Sequence, residues 1–378
     1  MPSQPLAADA LVHLFDWPFA RCAAELPQLA AAGYTAIQIS PAQLSLPRAD
    51  WWARYQPVDH RRIEGPLGSE ADLRALCAQA TRLGLRVIGD VVLNHMASGD
   101  GYAAHLRYPH FGPEHFRPRV PIDYSDLRSI REGWLAGLPD LRTDHPHVRA
   151  EARRHLDLLL DCGVRGFRFD AVKHMEPEFF DAVLEGLDPG LLMFGEYIWQ
   201  PGHDAALADF RARLPLMDFE LHRALGETLK GERGWEPLDA WAGDAVVFVT
   251  NHDIELAQYQ GFELPVDGLD LAHAFTTARL DSVPHVWLEH RAHPVVRAAL
   301  RLRRAAAAGG GWETLHAGAQ SLVWRARDGS ALLVLNGAHA PRHVAQEWLG
   351  EGGWDAWQDL LGSGPVLASR QPGLYLRA

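Results

Sequence analysis

Short apolar, β-rich runs alternate with helical patterns over roughly the first 308 residues, and this alternation constrains the fold more than any other feature. Eight such runs stand out: Leu11–Phe15, Ala36–Ser40, Arg86–Val92, Gly166–Ala171, Leu192–Tyr197, Leu216–Phe219, Ala245–Thr250 and Val283–Leu288. Between them, segments such as Glu70–Leu83, His147–Leu160 and Pro294–Ala307 place apolar residues at three- and four-residue spacing, the period of an amphipathic helix. Strand–helix alternation builds a parallel sheet, and eight repeats predict an α/β fold closed as a (β/α)₈ TIM barrel. An open doubly wound sheet is the competing reading. It would more often carry a glycine-rich phosphate loop after the first strand, where this chain has Leu14-Phe15-Asp16-Trp17-Pro18.

Two stretches interrupt the rhythm. Residues 94–146 are rich in His, Pro, Gly and Tyr with little helical period, so an inserted domain B is expected after the third strand. After Gly309-Gly310-Gly311, the runs Ser321–Arg327 and Ala331–Asn336 flank Asp328-Gly329, the signature of a hairpin in a small C-terminal antiparallel β domain. The expected organisation is therefore a barrel (domain A) over 1–93 and 147–308, domain B over 94–146, and domain C over 309–378.

Composition excludes several classes. The 36 basic against 48 acidic residues leave a net charge of −12, which repels phosphate backbones, so no nucleic-acid partner is expected. No run approaches the length of a membrane span, and Met1 to Asp9 lacks the basic start and apolar core of a secretion signal. A cytoplasmic location is the expectation, with secretion the alternative if a signal has been removed. Cys22, Cys77 and Cys162 read as buried thiols rather than a disulfide framework or a zinc site. Thirteen tryptophans suit sugar faces and protein cores equally and decide nothing alone. A monomer is expected, although nothing in the sequence fixes the oligomeric state.

Chemistry in a (β/α)₈ barrel sits at the carboxyl ends of the strands. The third run ends Asp90-Val91-Val92-Leu93-Asn94-His95, the fourth reads Gly166-Phe167-Arg168-Phe169-Asp170 and continues to Lys173-His174, the fifth ends Gly195-Glu196-Tyr197, and the seventh ends Thr250-Asn251-His252-Asp253. Alternation along a strand points Arg168 and Asp170 the same way, where the arginine favours an ionised aspartate. Glu196 lies in an apolar run with fewer obvious cationic partners, and burial is expected to keep it protonated. Two carboxyls with acidities driven apart are the pattern of a glycoside hydrolase, and a spacing of about 5–5.5 Å would predict retention of anomeric configuration. Individually, Asp90, Asp170 or Asp253 could cap the next helix, and Arg168–Asp170 could be a buried structural pair. The coincidence of polar groups at four strand ends favours a site.

At these residues the sequence resembles the α-amylase family, glycoside hydrolase family 13. The four segments match its four signature regions in order, and Gly137-Leu138-Pro139-Asp140-Leu141 is similar to its signature at the end of domain B. The resemblance implies Asp170 as nucleophile, Glu196 as general acid/base and Asp253 as transition-state stabiliser. It implies His95 and His252 as contacts of the sugar in subsite −1, Arg168 as the arginine that holds the nucleophile, Asp90 as a further substrate-binding residue, and Lys173 and His174 on the aglycone side. Leu11-Val12-His13-Leu14-Phe15-Asp16-Trp17 and Trp51-Trp52-Ala53-Arg54-Tyr55-Gln56-Pro57-Val58 are similar to animal-type members. This similarity implies Trp52, Tyr55 and Gln56 as substrate contacts, with Trp51 read as core packing. The family's calcium would be held by Asn94, the Arg131 carbonyl, Asp140 and the His174 carbonyl. Its chloride would need Arg168, Asn251 and a third basic residue, where His285 stands instead; a neutral histidine holds an anion poorly, which leaves chloride activation in doubt. The implied activity is retaining hydrolysis of α-1,4-glucosidic bonds in starch, glycogen or maltodextrins. A glucan transferase or sucrose- or trehalose-type isomerase is the alternative, and a non-catalytic glucan-binding protein ranks last.

Overall fold

The computed structural model describes residues 9–98, 106–200, 202–241, 246–256 and 261–378. In chain order the main elements begin with β1 (Leu11–Leu14), α1 (Phe19–Ala32), β2 (Ala36–Ile39), α2 (Glu70–Arg82), β3 (Arg86–Val91), α3 (Pro146–Asp161), β4 (Gly166–Phe169) and β5 (Leu192–Gly195). They continue with α4 (Phe219–Leu229), β6 (Val246–Phe248), α5 (Leu269–Ala278), β7 (Val283–Trp287) and α6 (Pro294–Ala308). The chain packs into two compact units, one of Leu14–Ala30 with Ala36–Met217, the other of Asp218–Ala378 with Ala31–Thr35 and β1 up to His13.

In the first unit β2, β3, β4 and β5 lie side by side and parallel. Their near-continuous burial matches strands covered on both faces. Gly166 opens β4 because no side chain fits there: a Cβ would stand 2.1 Å from the Leu192 carbonyl oxygen of β5. The helix α2 begins with a capping box, Ser69 accepting from the Asp72 N–H while Asp72 accepts from the Ser69 N–H, which satisfies two otherwise orphaned groups. The segment after β3 contains a short helix at Leu127–Glu132 and single-turn 3₁₀ helices at Pro113–His115 and Leu135–Gly137. It is pinned by bridges between His95 and Asp140 and between Phe116 and Leu141. Residues 99–105 of the expected domain B lie outside the described residues.

In the second unit β1 and β6 flank β7, again parallel. Ala245, expected to open the seventh strand, lies outside the described residues. Five antiparallel strands then follow: β8 (Trp312–Ala317), β9 (Ser321–Ala326), β10 (Ala331–Asn336), β11 (Trp357–Asp359) and β12 (Gln371–Arg377), in the order β8-β9-β10-β12-β11. Alternation divides their side chains. Leu322, Trp324, Leu333, Leu335 and Leu374 share a core with α4, α5 and α6, while Val323, Leu332, Val334 and Tyr375 pack with Leu349 and Trp357.

One expected strand is corrected. Leu216–Phe219 is not a continuous strand: Leu216 and Met217 are isolated bridge residues, Leu216 to Gly195, and Phe219 already begins α4. Asp218 ends the extended segment because its side chain accepts the Leu221 N–H at 2.7 Å, and an N-cap of this strength converts the chain to helix. The three cysteines are buried and free. Among the described residues no helix is long and apolar enough to cross a membrane.

Candidate active site

The carboxyl ends of β3, β4 and β5 build a single charge cluster. Asp90 and Arg168 are register partners on adjacent parallel strands, so their side chains emerge on the same side. One arginine nitrogen, Nη1, donates to Asp90 Oδ1 at 2.8 Å and to Asp170 Oδ1 at 2.7 Å, while Nη2 pairs with Glu196. All four side chains are buried: Arg168 and Asp90 are 1% exposed, Glu196 4% and Asp170 8%. Backbone bonds fix the spacing, with the Asp170 N–H on the Val91 carbonyl (3.0 Å) and the Glu196 N–H on the Phe169 carbonyl (2.9 Å). Ala171 follows Asp170 with φ of 50°, a left-handed conformation that is uncommon outside glycine and turns the chain sharply after the carboxylate.

The electrostatics follow from three carboxyls crowding one guanidinium, with the Lys173 ammonium also acting on Glu196. Burial pushes Asp90 up to about 7, with Arg168 opposing and Asp170 adding to the rise. Burial likewise raises Asp170 and Glu196 above the ordinary carboxyl range, each against the pull of Arg168, and the Asp170 charge raises Glu196 further. The expectation that Glu196 has few cationic partners is thereby corrected: it shares the guanidinium. Arginine was expected to hold Asp170 ionised, yet desolvation is the larger effect on that carboxyl.

Tyr55 joins from the turn Trp51–Tyr55, its hydroxyl donating to Asp90 Oδ2 at 2.9 Å. His95 Nε2 donates to the Tyr55 carbonyl at 2.9 Å, and burial holds that ring neutral, down to about 4. Gln56 accepts the Ser98 N–H at 3.1 Å. Trp51 meets Phe15 and Tyr55 in aromatic contacts, and Trp52, half-buried, packs on Leu46, Ala53 and Ala97. Lys173 and His174 follow the sharp turn. Burial lowers Lys173 to about 8, and its Nζ donates to the Ile198 carbonyl at 3.4 Å. His174 Nδ1 donates to the Ile130 carbonyl at 2.9 Å. Sequence reasoning did not single out Tyr124. Its ring is 46% exposed with Lys173 Nζ 5.5 Å from its centroid, in a segment without periodic signal, so only the fold brings it there.

In the second unit His252 and Asp253 open a four-residue helix capped by Asn251, whose Oδ1 accepts the Ile254 N–H at 3.0 Å. Asn251 therefore does the capping that Asp253 could have done. His252 Nε2 lies 3.5 Å from Asp253 Oδ1, and the His252 ring meets His13 edge-on, while His13 also meets His285 and Trp287.

The residues expected to hold calcium offer a set suited to a hard cation. Asn94 Oδ1 is buried with no hydrogen-bond donor among the described residues, and Asp140, 1% exposed, lies on the segment bonded to Asn94 through the Leu141 N–H (2.8 Å). Burial lifts Asp140 to about 9 despite Arg117 Nε at 3.2 Å. Arg131 lies on the short helix that His174 meets at Ile130. Among the described residues no three His, Cys, Asp or Glu side chains form a metal cluster; the expected set relies instead on one carboxylate with amide and carbonyl oxygens.

Parallel strands whose carboxyl ends gather three buried carboxyls on one arginine define a β/α-barrel protein with an acidic strand-end site. The family description "Alpha amylase, catalytic domain" matches residues 22–115. An α-amylase of Aeromonas hydrophila is 33% identical over 307 residues, covering 72% of this chain and 66% of that protein. The α-amylase I of Eisenia fetida superposes with a TM-score of 0.82 at 21% identity, over 99% of this chain and 95% of its own. A mutant of that enzyme in complex with maltohexaose superposes at 0.81, with 21% identity over 98% and 95%. The chain belongs to the α-amylase family, glycoside hydrolase family 13, and has its fold, a (β/α)₈ barrel with a C-terminal antiparallel β domain. It spans no more than about two thirds of the length of the curated relatives it matches.

Proposed function

We propose that this protein is a retaining glycoside hydrolase that cleaves α-1,4 bonds in glucan chains. The observation that carries this reading is the sharing of the Arg168 guanidinium by Asp90, Asp170 and Glu196. Three buried carboxyls outnumber the one guanidinium they share, which favours a proton held within the cluster and available to a leaving group. Glu196, raised by burial and by Asp170, is the acid. Asp170, bonded directly to Nη1, is the nucleophile. Glu196 protonates the glycosidic oxygen as Asp170 attacks the anomeric carbon. The resulting carboxylate of Glu196 then takes a proton from water, which displaces Asp170 and restores the configuration. The role of transition-state stabiliser that the family resemblance implies falls on Asp253. Asn94, Asp140 and the carbonyls of Arg131 and His174 would hold calcium, whose chemistry here is to tie the segment after β3 to the turn after β4. The substrate reading draws support from the maltohexaose complex of the mutant Eisenia fetida enzyme; maltodextrins or glycogen fragments are the substrates we favour.

Incubation with maltoheptaose, followed by product sizing and detection of the first-formed anomer, tests the reading. Shorter products released as the α-anomer support it. Products longer than the substrate identify a transferase instead, and a β-anomer rules out retention. Asp170→Asn and Glu196→Gln should each remain folded and lose at least a thousandfold in kcat; undiminished hydrolysis by either removes its assigned role.

A further inference from the structure

The turn that carries Trp52 and Tyr55 has no side-chain cap of its own at Asp50. It is held from within by Arg54, whose side chain is only 5% exposed. The guanidinium donates to Asp16 Oδ1 at 3.0 Å and to the Arg48 carbonyl at 3.0 Å, with the Ala49 carbonyl at 3.5 Å. The Arg54 carbonyl in turn accepts from Gln43 Nε2 at 2.9 Å and Ser45 Oγ at 3.0 Å. Asp16 is itself held in place: its φ of 52° is left-handed and its N–H donates to Ser40 Oγ at 2.8 Å. A non-glycine residue kept in that conformation indicates a surrounding structure that over-determines it. The next residue along, Tyr55, bonds Asp90 through its hydroxyl and His95 through its carbonyl.

We propose that Arg54, anchored on Asp16, is a positioning residue that sets the pose of Trp52 and Tyr55 and thereby the affinity for a glucan chain. This rests on the glycosidase reading above, which supplies the ligand. Arg54 touches none of the reacting groups, and its fork reaches three acceptors in three directions, a geometry that a lysine ammonium cannot reproduce. The inference therefore concerns binding rather than chemistry.

The test compares Arg54→Lys and Asp16→Asn with the parent protein. Melting temperature and circular dichroism report folding, steady-state kinetics on maltoheptaose report turnover, and calorimetric titration with maltoheptaose in a Glu196→Gln background reports affinity. The expected result is a roughly tenfold rise in KM and a similar loss of affinity in both variants. kcat should stay within about threefold, with its pH profile unmoved. The double variant should be little worse than either single one, as coupling through one contact requires. A purely structural role would instead lower the melting temperature and the active fraction, reducing apparent kcat at constant KM. That outcome, unchanged affinity in a folded variant, or failure of both variants to fold overturns the proposal. Should the parent bind maltoheptaose without cleaving it, the hydrolase reading falls while the affinity titration still decides the role of Arg54. A parent that neither binds nor cleaves overturns both.

Discussion

Arg168 and Asp90 stand opposite each other in the register of two parallel strands, joined by a 2.8 Å bond from Nη1 to Oδ1. Because neighbouring strands hold this pair, Arg168 cannot swing away from Asp90, and the same nitrogen is left aimed at Asp170. The strand scaffold thus supplies the alignment that a loop-borne arginine would have to gain by ordering itself.

Replacing Arg168 by lysine keeps the charge but loses the fork that reaches Asp90, Asp170 and Glu196 together. Leaving buried carboxyls without their partner costs about 3–5 kcal/mol in comparable cases. Arg168→Lys should therefore lower stability in denaturant titration by several kcal/mol and reduce kcat/KM by at least a hundredfold. Wild-type stability and activity in this variant would show that the shared guanidinium matters to neither.

Tyr55→Phe removes the hydroxyl that donates to Asp90 Oδ2 and leaves the ring in place. A hydrogen bond contributes about 0.5–1.5 kcal/mol net, and up to about 3 kcal/mol when its acceptor is ionised. The variant should lose stability on that scale and lose several-fold in kcat/KM, while retaining the aromatic face. A double-mutant cycle with Asp90→Asn measures the coupling, and additive losses would show that the contact carries none.

The pH profile should carry the mark of Glu196. Burial raises this group, so its protonated, catalytically competent form persists above the ordinary glutamate range, and activity is lost as pH rises through the raised value. The basic limb of kcat/KM should accordingly lie well above pH 4.5, the ordinary value. A profile that already declines through that value would contradict the assignment of Glu196 as acid.

Chelation tests the proposed calcium. If Asn94 and Asp140 hold the ion, removing it should lower the melting temperature, by about 2.7 kcal/mol of stability at an ion concentration a hundredfold above Kd. Asp140→Asn should make the melting temperature insensitive to chelator. Equal melting of the parent with and without chelator would remove calcium from the account.

The sequence alone was informative wherever the signal is local. Alternation and three-to-four spacing located α2, α3 and α6 and the observed parallel strands to within a residue or two, because burial of one face repeats with the backbone's own period. It also placed Asp90, Arg168, Asp170 and Glu196 at strand ends, since polar residues closing an apolar run are visible in one dimension. It overran at Leu216–Phe219, where Leu216 and Met217 are extended bridge residues but the Asp218 cap starts the helix at Phe219. Tertiary structure alone joined residues separated by 35 to 78 positions: Tyr55 to Asp90, Asp16 to Arg54, and Asp90 to Arg168. It likewise showed that Glu196 shares Arg168 and that burial outweighs the arginine in setting the acidity of Asp170. The reason is physical. Periodicity reports what each segment does with its own backbone, whereas a pairing and the desolvation around it depend on strand register and on how many neighbours crowd one charge, and both exist only once the chain has folded.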